Sequence, residues 1–210
     1  MTLESSLPFI SVAAALAAGV VAGRSTPSSA EPGLKALALA ALAMFAYFRG
    51  VAPAAIAQAL TLAAIAGALM PRGAERFGTA GILFLAGAWL VFGYLFLRTG
   101  SGRSILLAEP IRIAALVLLM AGLGWAMTRA PRAPQRIRAG ALADLGAIGA
   151  ATAAALTLPW SAWPAMVGAL LAMLGEAVLL FGPVQGPLAR RIAWALGFGG
   201  QAAMAYAFLR

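Results

Sequence analysis

Residues 168 to 181 read GALLAMLGEAVLLF. Every residue in this stretch is apolar or glycine except Glu176. Extended to residues 163–182, the run matches the roughly 20 apolar residues that a helix needs to cross the hydrocarbon core of a bilayer. A carboxylate inside such a run is costly unless it is paired, hydrogen-bonded, neutral or hydrated by a cavity. The run therefore predicts a membrane helix, and its one charge predicts a site.

Composition agrees. The 210 residues are 63% hydrophobic and 10% charged, with a mean hydropathy of +0.94. A soluble domain of this length is nearer half apolar and about a quarter charged. So much apolar sequence needs the bilayer as its solvent. The chain has no cysteine and no histidine. Disulfides, thiol nucleophiles, Cys/His metal centres and imidazole catalysis are excluded together, so no metal and no cofactor is expected. Catalysis would rest on carboxylates, hydroxyls, amides, Lys or Arg. A Gly-rich phosphate loop is also missing, which leaves nucleotide-driven work unsupported.

The net charge of +9 is spread over short gaps between apolar runs. That is the pattern of membrane topology and anionic headgroups, not of nucleic-acid binding. The start of the chain, MTLESSLPF, has Glu4 and no basic residue before the first apolar run. Residues 7–23 are therefore expected as a retained first helix and not a secretory signal.

Eight apolar segments follow the same reading: 7–23, 34–48, 51–70, 78–98, 109–127, 139–158, 163–182 and 189–209. Short connections rich in Pro, Gly and Arg separate them. The expected fold is all-α, a polytopic bundle of about eight transmembrane helices forming one domain. The gaps after the first, third, fifth and seventh segments hold ten of the fifteen Lys and Arg residues. The positive-inside rule then puts both termini outside a bacterial inner membrane. Trp125, Trp160, Trp163 and Trp194 fall near segment ends, as interfacial aromatics do, while mid-span Trp89 is expected to pack against neighbours. FGYLFLR (92–98) and MAYAFLR (204–210) close the fourth and eighth segments and hint at a repeat of four helices.

Three charged residues converge at one depth. Glu176 lies about six residues, or ~9 Å, from the end of its segment, and Asp144 lies about as deep from the start of its own. Both ends face the Arg-rich side, where Lys35 opens the second segment. An apolar surround disfavours the charged form of a carboxyl group and suits it to proton donation. The structural alternative is an ion pair of Glu176 with Lys35, Arg190 or Arg191. Gln201 and Gln58 lie deeper, where an interhelical hydrogen bond is the plain explanation. Glu109 and Arg112, three apart, form a local salt pair to which no chemistry is assigned.

In the order and spacing of its short motifs the chain resembles the YhhN family of integral-membrane lysoplasmalogenases, most clearly over residues 34–209. Lys35-Ala36-Leu37 stands where that family opens its second helix with Lys-Pro-Leu. Gly67-Ala68 stands for Gly-Asp at the end of the third helix. Ala80-Gly81-Ile82-Leu83-Phe84 leads to Ala88 where the family has a histidine. Gly168 to Leu171 match the Gly-Ala-Leu-Leu of the seventh helix, with Gly175 and Glu176 at the following Ser-Asp. Gln201 falls at the glutamine of the last helix. The resemblance implies an eight-helix bundle that hydrolyses the vinyl-ether bond of lysoplasmalogens, single-chain lysophospholipids. On that expectation Glu176 is the acid, Lys35 is the phosphate anchor or charge partner, and Asp144 and Gln201 orient water. The missing aspartate and histidine leave two alternatives: a lipid-binding protein of the same fold without catalysis, and a small proton-coupled transporter. The prolines Pro110, Pro159, Pro164, Pro183 and Pro187 lie at helix ends or in loops, which counts against transport.

Overall fold

The computed structural model describes residues 3–22, 29–49, 53–69, 75–100, 102–129, 135–181 and 187–209. Those residues are helical almost throughout, with no strand among them. The helices are α1 (Leu3–Ala22), α2 (Ala30–Arg49), α3 (Pro53–Leu69), α4 (Glu75–Thr99), a short α5 (Arg103–Ala108), α6 (Pro110–Arg129), α7 (Gln135–Ala155), α8 (Trp163–Phe181) and α9 (Pro187–Ala207). A single 3-10 turn, Trp160–Ala162, precedes α8. The long helices follow the eight apolar segments, and α5 is a turn and a half of helix where the sequence suggested only a loop.

Proline sets several of these starts. Pro53, Pro110 and Pro187 each occupy the first position of a helix. There the missing N–H has no intrahelical partner to lose, and the fixed φ is already helical. Pro32 and Gly33, read as part of a loop, lie inside the first turn of α2, where proline is tolerated for the same reason. The chain leaves α4 through Gly102, whose φ of 61° favours a residue without a Cβ.

Ser5–Ala22, Ala30–Arg49, Ala80–Thr99 and Trp160–Val178 are long and apolar enough to cross a membrane. Ala54–Leu69, Pro110–Gly122 and Leu142–Ala155 are shorter apolar helices. The chain is thus an all-helical bundle with several helices suited to a bilayer. Of the basic residues used for orientation, Arg24, Arg72, Arg132 and Arg210 lie outside the described residues. So do the side chains of Arg76, Arg103, Arg129, Arg136 and Arg138, and that of Trp125.

Seven helices close into a ring. Each of α1, α2, α3 and α4 packs on the next, α4 then packs on α7, and the circuit continues through α8 and α9 back to α1. Helix α6 is left outside, resting on α7, with Ile111, Val117, Leu118 and Met120 exposed. The α4–α7 pair is parallel: Gly140 faces Ile82, Gly93 faces Ala151 and Gly100 faces Thr157. Inside the ring, Trp89 lies tilted against Phe92 along α4, Phe92 stacks on Phe96, and Phe96 stacks on Phe208 at 5.8 Å between centroids. The FLR segments that suggested a repeat meet at this contact. Trp89 is fully buried, as its mid-span position suggested.

Arg112 anchors α6. It is 3% exposed, and its Nη1 donates to the carbonyls of Leu156 and Leu158 at 2.7 and 2.5 Å. These carbonyls at the end of α7 have no intrahelical donors, so the guanidinium supplies them. Glu109 accepts from Arg112 Nε and from the indole of Trp160, both at 2.8 Å, and the guanidinium lies 4.7 Å over the Trp160 ring. The local salt pair is therefore part of a staple joining α6, α7 and the turn before α8.

The tightest seam joins α8 to α9. A Cβ built on Gly168 would come within 2.5 Å of the Gly200 carbonyl, and one on Gly175 within 2.8 Å of the Ala193 carbonyl. Small residues let membrane helices approach to backbone contact in this way. Gly168→Ala is expected to cost about 1–3 kcal/mol through overpacking. Gly146→Ala, which meets nothing within 4 Å, should be neutral or stabilising by up to ~1 kcal/mol because alanine favours helix. Thermal unfolding of both variants in the same detergent checks the pair.

Candidate functional site

The ring brings charged residues from three helices together at the end where α2 begins. Lys35 on α2 makes an ion pair with Glu31 one turn earlier, Nζ to Oε1 at 2.9 Å. Its ammonium also sits 5.3 Å from the centroid of the Trp194 ring on α9, a cation–π distance. The Trp194 indole is fixed in turn by donating to the Ala15 carbonyl of α1 at 2.9 Å. Trp194, expected as an interfacial aromatic, is turned into the bundle and forms one wall of the site.

Glu176 on α8 faces this lysine closely enough for the two charges to attract. It is deeply set among protein atoms, yet part of its surface is accessible. No hydrogen bond or close ion pair holds it among the described residues. Arg190 reaches elsewhere, donating from Nε to the Ala22 carbonyl at the end of α1.

Asp144 on α7 completes the group. It is 4% exposed and near enough to Glu176 for their like charges to interact. Trp89 on α4 lies beside it. The contact falls short of full hydrogen-bond geometry, because the Trp89 Nε1 and Asp144 Oδ1 atoms are both buried without a partner. The parallel α4–α7 packing sets this neighbourhood, since it brings the start of α7 alongside the inner half of α4.

Gly67 and Gly175 supply the room. A Cβ on Gly67 would stand 3.4 Å from Lys35 Cβ, and Gly175 lies against α9 one residue before Glu176. Next to the site, α2 and α3 leave an apolar groove of about 770 Å³, lined from Ala36 and Ala68 at the lysine end to Tyr47 and Phe48 at the other. Twelve residues of α2 separate those ends, or ~18 Å at 1.5 Å per residue. The groove has the length and polarity for one extended hydrocarbon chain.

Gln201 is not part of this group. Helices α8 and α9 are antiparallel, with Gly175 beside Ala193 and Gly168 beside Gly200. Gln201 thus lies about seven residues, ~10 Å, from the level of Glu176. It is 5% exposed, and its Oε1 is buried without a partner. Sequence reasoning placed Glu31 in a loop. The i, i+4 spacing of Glu31 and Lys35 was the signal that would have found the pair. Among the described residues no group of three or more His, Cys, Asp or Glu is arranged to hold a metal ion.

No protein-family model, curated protein or solved structure matches this chain. The site is therefore argued from its own geometry. It offers two neighbouring carboxyl groups, one buried and one half-buried, beside a lysine that two carboxylates share. Such a set can hold a proton, transfer it, and bind an anion or a water molecule.

Lys35→Met is expected to destabilise the protein by about 1–3 kcal/mol, because it removes the ammonium 2.9 Å from the 7%-exposed Glu31 carboxylate. Adding Glu31→Gln should restore much of the loss. Chemical unfolding of the single and double variants measures this; full additivity of the two changes would show that the pair carries no coupling.

Proposed function

We propose that the chain is an eight-span membrane hydrolase that cleaves the vinyl-ether bond of lysoplasmalogen-type lysophospholipids, as the resemblance to the YhhN family implies. The observation that carries the reading is the meeting of Asp144 with Glu176 beside Lys35. The motif comparison lacked a second acidic group at Ala68. In this bundle Asp144 offers one from a different helix.

Vinyl-ether hydrolysis starts with a proton delivered to the alkene carbon remote from oxygen. The oxocarbenium ion so formed adds water, and the hemiacetal collapses to a fatty aldehyde and the glycerophospho-base. The proton-transfer step sets the requirement for an uncharged carboxylic acid held against the alkene. Glu176 fills that role, with part of its surface open to substrate. Glu176, having given its proton to the alkene, takes one back from the attacking water, which Asp144 orients through its unpartnered Oδ1. Lys35 holds the phosphate. The single chain lies in the α2–α3 groove, whose lysine end keeps the ether oxygen near the carboxyl pair. Gln201, ~10 Å along α9, belongs to the packed part of the bundle and not to the water site.

The location that suits this activity is a bacterial inner membrane, with both termini outside and the charged cluster on the cytoplasmic side. Lysoplasmalogen is a membrane amphiphile, so substrate reaches the groove sideways from the leaflet. Proton-coupled transport has less support, because the interior beyond the cluster is filled by Trp89, Phe92 and Phe96.

The test is fatty-aldehyde release from lysoplasmenylethanolamine by detergent-purified protein. Wild type should release aldehyde, and Glu176→Gln should lower the rate by about 100-fold or more, the usual contribution of a general acid. Folded wild type that binds the lipid and releases no aldehyde would overturn hydrolysis in favour of a lipid-binding protein.

A further inference from the structure

A second groove lies on the other side of the charged cluster, between α1 and α9. It encloses about 420 Å³, with Val12, Leu16 and Val20 along one wall and Trp194 and Phe198 along the other. Ala15 and Gly19 form its floor; a Cβ on Gly19 would stand 3.7 Å from the Trp194 ring, so the floor is open because α1 is small there. The outer rims are apolar and exposed, with Leu16 69% accessible.

Arg191 closes the groove at one end. The two arginines at the start of α9 differ sharply. Arg190 is used internally, on the Ala22 carbonyl. Arg191 is exposed and makes no hydrogen bond or ion pair among the described residues. An unpaired guanidinium at the mouth of an apolar groove asks for an anion joined to a hydrocarbon chain. The positive end of the α9 dipole adds to the same preference. From Arg191 to Phe198 the groove runs seven residues along α9, ~10 Å into the apolar zone.

We propose that this groove is a binding site for a two-chain anionic phospholipid, with its phosphate on Arg191 and one acyl chain between α1 and α9. The second chain rests on the exposed rim of α1. Basic positions between membrane helices recognise anionic headgroups by this combination of charge and apolar surface. The site is separate from the α2–α3 groove assigned to the substrate, and it stands or falls independently of the hydrolysis. Its inner wall is Trp194, the ring that Lys35 faces, so a bound lipid would brace the wall of the charged cluster.

Native mass spectrometry of the full chain in detergent tests the proposal, with phosphatidylglycerol and phosphatidylcholine of identical acyl chains as probes. Wild type should retain the anionic lipid about five-fold better, the effect of one basic residue at a membrane surface. Arg191→Gln should reduce phosphatidylglycerol retention to the phosphatidylcholine level, and Arg191→Lys should keep most of the preference. Gly19→Leu, which fills the groove, should lower retention of both lipids. Equal retention of the two lipids by wild type would overturn the proposal. So would an anionic preference that survives in Arg191→Gln, or full retention of both lipids by Gly19→Leu.

Discussion

Charge placed inside an apolar bundle is stable only where other charges or dipoles meet it, and this constraint organises the molecule. Two places satisfy it. At one end, Arg112 draws together Glu109, Trp160 and the bare carbonyls of α7. At the other, Lys35 holds Glu31 and faces Glu176, which in turn neighbours Asp144. The first arrangement gives its arginine two carbonyls, a carboxylate and an aromatic face and, although Nη2 has no partner, keeps it 3% exposed, so it reads as structure. The second leaves Asp144 Oδ1 without a hydrogen bond and Glu176 partly open. What sets the second place apart is that its unpartnered carboxyl oxygen neighbours a second carboxyl group that is partly open.

Closure of the ring depends on the parallel contact of α4 and α7, which passes over α5 and α6 in the chain. A Cβ on Gly93 would lie 3.3 Å from the Ala151 Cα, so the two backbones touch at that level. With α6 kept outside by its Arg112 anchor, the start of α7 is free to enter the circuit, and Asp144 arrives beside Trp89 and Glu176. The tight α8–α9 seam then sets Trp194 and Glu176 at matching depths, on either side of Lys35.

Much of this was legible in the sequence, for physical reasons. Apolar runs near bilayer length, broken by Pro and Gly, locate the long helices because proline at a first helical position is both permitted and favourable. The depth of Glu176, Asp144 and Lys35 followed from counting residues at 1.5 Å each. Their meeting did not follow, because many Ala- and Gly-rich faces in the chain could have paired with one another. Glu31 was hidden by Pro32-Gly33, a pair that reads as a turn and instead lies in the first turn of α2. Trp194 looked interfacial by position; its partners Ala15 and Lys35 are far away in the chain and turn it inward. Gln201 matched a motif by order along the chain, but antiparallel packing of α8 and α9 sets it at a different level from Glu176.

Lys35 of α2 and Glu176 of α8, far apart in the chain, meet inside one ring of helices. The natural absence of cysteine makes a direct measurement possible. Lys35→Cys and Glu176→Cys can be combined in an otherwise thiol-free chain and treated with a short bifunctional thiol cross-linker, with mapping of the linked peptides by mass spectrometry. An intramolecular link in the double variant, absent from both single variants, is the predicted result. Two thiols that each react with a monofunctional reagent but never join would contradict the arrangement.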